Sequence, residues 1–231
     1  MRNIFIYFIL FLASLPGWAM APKINWHKAV NIAIEKYGLR TEPSLKKAFK
    51  RANVAYPPKE ITFLAFKKEK KLELWAKNDE KWHWIKTYHL TAFSGALGPK
   101  MKEHDKQIPE GIYHLTMLNP FSSFHLSIML DYPNNFDRSI ARLERRRRLG
   151  NNIFLHGKNV SVGCLAVGDK AIDQIFLLVS KVGLLNSKII IAPNDMRTGP
   201  IATPLKGKPK WLTLLYKKIK VALKPFKHKH G

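Results

Sequence analysis

The period of the hydrophobic positions changes once along this chain. Between residues 22 and 58, apolar side chains at Ala29, Val30, Ile32, Ala33 and Ile34 recur near helical spacing. Gly38 stands where a C-cap would, and a second helix is expected from Pro43-Ser44 to just before Pro57-Pro58. From Glu60 the period shortens towards two. Ile61–Phe66 and Leu72–Ala76 predict strands around a charged turn at Lys67–Lys71, and Trp82–Phe93 predicts a longer strand. The alternating aromatics Trp82, Trp84, Tyr88 and Phe93 suit core packing better than base stacking. After a loop at 94–99, Gly111–Leu118 and Phe124–Leu130 predict two more strands. Asp137–Leu149 predicts a strongly basic helix, Ile153–His156 a short buried strand, Asp169–Val182 a helix and Lys188–Ile191 a closing strand. Strands that follow one another with short connections predict a β-rich α+β sandwich or barrel with peripheral helices, not a βαβ alternation.

The two ends of the chain differ from its middle. Met1-Arg2-Asn3 precedes an apolar run, Ile4–Leu15, and small residues follow at Gly17 and Ala19. That order predicts a secretory signal over residues 1–19, with an uncleaved anchor as the alternative. The run is shorter than the roughly 20 residues that span a bilayer comfortably. An exported protein of the periplasm or cell envelope is therefore expected. The rest divides into a helical N-terminal segment at 20–58, a main domain at 59–195 and a basic C-terminal extension at 196–231. Residues 205–231 hold nine Lys and no Asp or Glu, with apolar Trp211, Leu214, Leu215, Ile219 and Leu223. They predict a basic amphipathic helix, packed on the domain or turned to an anionic envelope surface. His228 and His230 are assigned no role.

Charge widens the choice of partner and the cysteine count narrows the chemistry. Forty Lys and Arg against 16 Asp and Glu give a net charge of +24, which suits any anionic partner. One cysteine excludes an internal disulfide framework and a Cys-rich zinc site. No cofactor and no metal are called for. In an oxidising compartment a lone thiol is either buried inertly or used.

The stretch Ile153-Phe154-Leu155-His156-Gly157-Lys158-Asn159-Val160-Ser161-Val162-Gly163-Cys164-Leu165-Ala166 favours use. His156 ends an apolar strand, and the only cysteine follows just before a helix. An imidazole beside a thiol can take its proton and leave a thiolate–imidazolium pair, the generic nucleophile–base arrangement. Small residues at Gly157 and Gly163 let backbone N–H groups point at an oxyanion, and Ser161 can hydrogen-bond within the loop.

His-Gly, a short gap and then Ser-x-Gly-Cys resembles the signature of the L,D-transpeptidase catalytic domain, the YkuD family of exported bacterial peptidoglycan enzymes. Upstream, Ile108-Pro109-Glu110-Gly111-Ile112-Tyr113-His114-Leu115 resembles that family's strand entry. Leu118-Asn119-Pro120, Phe124-His125-Leu126-Ser127 and Asp131-Tyr132-Pro133-Asn134 are similar to its YafK-like branch. The resemblance covers roughly residues 60–192. It implies Cys164 as nucleophile, His156 as general base, support from Gly163, Ser161 and Gly157, and an imidazole oriented by a backbone carbonyl or small polar group near Gly157. His125, Arg138 and Tyr132 are candidate substrate contacts, although His125 suits a structural role equally well. The arginine cluster from Arg138 to Arg148 fits either an anionic substrate or a solvated surface. The Arg that most members carry two residues after the cysteine is Ala166 here, as in the YafK-like branch.

The resemblance implies attack on a stem-peptide carbonyl at diaminopimelate through a thioester, with transfer to an amine. An amidase or hydrolase of the same family, releasing a wall-attached group, is the alternative. A non-catalytic cationic protein gripping wall polymer or another polyanion is the reading from a different class. Nucleic acid is not an expected partner.

Overall fold

The structure is a computed structural model that describes residues 25–203 and 209–227. The expected signal at 1–19, along with His228 and His230, lies outside the described residues. Eight strands form one mixed sheet: β1 (Ile61–Phe66), β2 (Lys71–Asn78), β3 (Lys81–His89), β4 (Gly111–Asn119), β5 (Ser127–Leu130), β6 (Phe154–His156), β7 (Leu165–Ala166) and β8 (Ser187–Ala192). Their order is β3-β2-β1-β8-β4-β5-β6-β7, and the sheet curls into a half-barrel. The pairs β1–β8 and β6–β7 are parallel and the others antiparallel. The helices are α1 (Trp26–Arg51), α2 (Asn135–Leu143), α3 (Asp169–Val182) and α4 (Lys210–Leu223), with a 3-10 turn at Leu184–Asn186. The expected α+β architecture is observed.

The continuous apolar runs of the central strands have a simple cause. Both faces of β1 are covered. Ile61, Phe63 and Ala65 join the core shared with α1 and α3, while Leu64 and Phe66 join a second core under α4. Strand β8 divides in the same way, with Ile189 and Ile191 on one side and Ile190 and Ala192 on the other. A strand buried on both faces loses the polar half of its alternation. Helix α4 places Leu212, Leu215, Tyr216, Ile219 and Leu223 on the sheet, each contributing about 1.5–3 kcal/mol if fully buried. Its apolar stripe is thus a docked face and its lysines are turned outward.

Four local expectations are corrected. Helix α1 runs unbroken through Gly38 and Pro43. Gly38 is a packing position, because a Cβ there would lie 3.2 Å from Leu177 Cδ1 of α3. Thr41 donates its hydroxyl to the Tyr37 and Gly38 carbonyls upstream of the proline. Helix α2 begins and ends earlier than expected. Asn134 accepts the Phe136 and Asp137 N–H groups, while the Asp137 carboxylate accepts the Asn134 N–H, a reciprocal cap. The helix stops before the arginine run, where Arg145 is left-handed at φ 55°. The expected strand at 124–130 starts only at Ser127, because His125 has φ 75°. Trp84 is 44% exposed on edge strand β3, unlike buried Tyr88.

Candidate active site

His156 ends β6 and is held on three sides through its backbone. It pairs with Ser127 of β5, its carbonyl accepts Val167 N–H, and the next N–H, of Gly157, reaches Leu126 O at 3.2 Å. Its side chain is 1% exposed. Imidazole Nδ1 lies 2.6 Å from Gly157 O. A carbonyl only accepts, so the neutral ring carries its proton on Nδ1, and Nε2 keeps the lone pair that a base needs. Phe124 covers the ring, with centroids 4.6 Å apart. Gly157 is required here by close approach. A Cβ on it would meet Asp169 Oδ1 at 2.6 Å and Phe124 O at 2.8 Å. The same carboxylate oxygen accepts Lys158 N–H at 2.8 Å, and Thr91 Oγ1 donates to Lys158 O at 2.7 Å.

Strand β7 pairs with β6 in the register Leu155↔Leu165 and His156↔Ala166. Cys164 precedes Leu165, which places it beside Phe154. Cys164 itself lies in the bend before β7, and its thiol makes no hydrogen bond to His156 among the described residues. The thiol is half-buried and donates to Asn152 O at 3.8 Å. The turn before it is braced by side chains. Ser161 Oγ donates to Cys164 O at 2.7 Å, Gly163 N–H donates to Ser94 Oγ at 2.7 Å, and the two hydroxyls are 3.3 Å apart. Gly163 has φ 92°, and a Cβ there would lie 3.2 Å from Gln107 O, so both conformation and space demand glycine. The Gly163 N–H, expected as an oxyanion donor, is engaged by Ser94 in this state.

Burial works against the expected resting ion pair. Burial pushes the Cys164 thiol above its ordinary value, opposed in part by the Phe154 N–H and the positive charge of Lys100. Burial pushes the His156 imidazole below its ordinary value, with the Gly157 carbonyl opposing. Burial thus disfavours the charged form of each group. Lys100 is itself buried, bonded to Asp105 Oδ1 at 2.6 Å and Lys102 O at 2.9 Å.

The remaining candidates are engaged by other groups or exposed. His125 Nε2 lies 2.6 Å from Asp173 Oδ1 of α3, and Arg40 of α1 holds the other carboxylate oxygen at 2.9 Å. Tyr37 packs edge-on against the His125 ring at 4.6 Å, so His125 joins two helices to the strand entry. Tyr132 is 3% exposed and donates to Leu149 O at 3.2 Å, which makes it a buried brace and not a surface that a ligand reaches. Arg138 is exposed on α2, in a shallow depression with Ile112, His114 and Asp131. Ala166 is fully buried, paired with His156 and bridged to Ala92, so its side chain offers nothing to a ligand. Asp169 follows the cysteine motif in the resembling branch, whereas Ser94, Lys100 and Asn152, which also neighbour this loop, carry no such mark in the sequence. A Ser at the end of an aromatic strand and a Lys after Gly-Pro carry no local pattern that announces such contacts.

The loop that carries Ser94 and Gly98 is tied to the core by a buried ion pair. Lys67 Nζ and Glu110 Oε1 are 3.0 Å apart with both side chains fully buried. The Lys67 ammonium also donates to Gly98 O and Ile108 O, while Glu110 accepts Gly98 N–H and the Tyr216 hydroxyl of α4.

Comparison with known proteins places the chain in a family. Residues 61–191 match the family of the L,D-transpeptidase catalytic domain, YkuD. A protein of Escherichia coli (strain K12) named "Putative L,D-transpeptidase YafK" is 34% identical over 117 residues, covering 50% of this chain and 45% of that protein. The chain thus spans less than half the length of this curated relative. Among solved structures, the helical cell shape determining protein Pgp2 from Campylobacter jejuni is similar at TM-score 0.49 and 20% identity, covering 59% of this chain and 48% of that one. Bd1075 of Bdellovibrio bacteriovorus is similar at TM-score 0.42 and 25% identity, covering 61% of this chain and 50% of that one. With more than half of its length matched in one block that includes His156 and Cys164, this chain belongs to the YkuD family of L,D-transpeptidase catalytic domains.

Proposed function

We propose that the protein is an exported, cysteine-dependent enzyme of peptidoglycan that attacks a stem-peptide carbonyl at a diaminopimelate centre. One observation carries the reading. The imidazole of His156 is fixed by Gly157 O as the Nδ1–H tautomer, on the strand that pairs with the one leading out of the chain's only cysteine. As Sγ bonds to the carbonyl carbon, Nε2 takes the thiol proton, and the carbonyl π pair moves onto oxygen. Collapse of the tetrahedral oxyanion breaks the C–N bond, and the imidazolium returns its proton to the leaving amine. The thioester is then attacked by an amine, which is transpeptidation, or by water, which is hydrolysis. In either case His156 takes the attacker's proton and Cys164 leaves.

Partners whose charged forms burial disfavours suit this order, because charge develops only when substrate is in place. Phe154 N–H and Lys100 are positioned to stabilise sulfur as it gains charge. Gly163 N–H can serve the oxyanion by exchanging Ser94 Oγ for it, a donor of the kind whose loss costs about 100–1,000-fold elsewhere.

Incubation with purified sacculi followed by muropeptide mass analysis tests the reading. Wild type is expected to change cross-links or attached groups, whereas Cys164→Ala leaves the profile of untreated wall. Equal profiles from the two proteins would remove the assignment. New cross-linked masses indicate transfer, and shortened or released stems indicate hydrolysis. Export is tested by N-terminal sequencing of the cell-envelope fraction, where a chain beginning at Met20 is expected.

A further inference from the structure

We propose that the outer face of the α2–α4 helix pair is a docking surface for an anionic phospholipid bilayer. The two helices lie side by side and antiparallel. Lys218 Nζ of α4 sits 4.7 Å from the ring centroid of Phe136, near the start of α2. At the other end, Trp211 Nε1 of α4 donates to Glu144, the C-cap of α2, and Arg146 lies over the Trp211 ring at 6.0 Å. Ile140, Trp211 and Leu215 line the seam between them. The inner side of the pair is therefore spent on the domain.

The outer side carries a stripe that borders this packing. On α4, Leu214, Lys217 and Val221 follow the i, i+3, i+7 spacing of one exposed helical stripe, and exposed Lys218 flanks it beside Phe136. Leu214 is 47% exposed and Val221 54%. On α2, exposed Arg138 and Arg142 stand one turn apart, and Leu143 is 80% exposed just before the arginine run. Asp131 shares the depression of Arg138, whereas Arg142, Lys217 and Lys218 have no ion pair among the described residues. Glu144 is held by Arg146 at 2.7 Å and by Trp211, and no Asp or Glu follows Asp195 in the sequence.

Charge alone would suit any polyanion. The interspersed aliphatic side chains decide for a bilayer, because a soluble polyanion or a charged glycan gains nothing from Leu143, Leu214 and Val221. A headgroup layer gains from both, through Coulomb attraction and shallow burial of the aliphatic tips. Among the described residues no helix is long and apolar enough to cross a membrane, which is consistent with lying on one. This inference does not depend on the chemistry at Cys164.

Co-sedimentation of the full chain tests it. The vesicles are mixed phosphatidylglycerol and phosphatidylethanolamine, compared with phosphatidylcholine alone. Two triple variants are used, Arg142→Glu/Lys217→Glu/Lys218→Glu and Leu143→Ser/Leu214→Ser/Val221→Ser. All six changes are at exposed positions, and thermal melting confirms that each variant stays folded. Every chain carries the same N-terminal apolar run, so only differences between variants and between vesicles count. Wild type is expected to prefer the anionic vesicles. The charge variant should lose at least about tenfold of that partition. The aliphatic variant should lose about tenfold as well while keeping wild-type retention on heparin. Equal partition of all three chains overturns the proposal. A vesicle partition of the aliphatic variant equal to wild type also overturns it, and shows a general polyanion surface instead.

Discussion

The centre of the sheet and its thiol-bearing edge are built by different means. At the centre, β1 and β8 run for six residues each, pair with neighbours on both sides and bury both faces. At the edge, β6 and β7 are three and two residues long, and the loops beside them are held by Thr91, Ser94, Ser161 and Asp169 through single side-chain bonds. Regular pairing gives rigidity but leaves no backbone N–H or carbonyl free. The edge has such groups to spare. Gly157 O sets a tautomer and Phe154 N–H faces a sulfur. The proposed chemistry sits where the ladder runs out, with two strands, β4 and β5, between it and the doubly covered centre.

This contrast can be broken from either side. The largest effect is expected at the edge. Cys164→Ala should lower turnover by about four orders of magnitude, and His156→Gln by about 100- to 10,000-fold, as measured by muropeptide release. Melting temperatures should change little, because neither side chain holds a strand together. At the centre the order reverses. Lys67→Met strands the Glu110 carboxylate in the core and should cost about 3–5 kcal/mol in denaturant unfolding. The double variant Lys67→Met/Glu110→Gln should recover part of that loss, and a double variant no more stable than Lys67→Met would mean that the charge is not what matters.

Gly157→Ala joins the two behaviours. Its methyl would press on Asp169 and on the Phe124 carbonyl, so about 1–3 kcal/mol of stability and most activity should go together. A pH series then sharpens the electrostatic reading. The Cys164 thiol is pushed up and the His156 imidazole down, so the thiolate grows only as pH rises. Alkylation by iodoacetamide without substrate should climb about tenfold per unit and continue past pH 9. A plateau reached below pH 7 would show a resting ion pair instead. The smallest effect is expected for Ser94→Ala, about 1 kcal/mol of stability and at most about tenfold in turnover.

What could be read from the sequence follows the same division. The central strands and α3 show as apolar runs of the right length, and His-Gly with Ser-x-Gly-Cys marks the candidate site before any coordinates. Ser94 is hidden because its partner, Gly163, lies 69 residues away along the chain. The continuity of α1 is hidden because Gly38 and Pro43 are helix-breaking letters. Contact with Leu177 and the Thr41 hydroxyl, both set by packing, reverse that local preference. Strand β7 is too short to show a period. His125 and Tyr132 sit within recognisable motifs, yet only the fold reveals that Asp173 and the Leu149 carbonyl occupy them.

The central claim is that Cys164 becomes acylated. Its most direct test is rapid acid quenching of wild type with a diaminopimelate-containing stem tetrapeptide, then proteolysis and peptide mass mapping. The account predicts an acyl mass on the peptide containing Cys164, absent from Cys164→Ala together with product. An acyl mass on another residue, or product formed undiminished by Cys164→Ala, would contradict it.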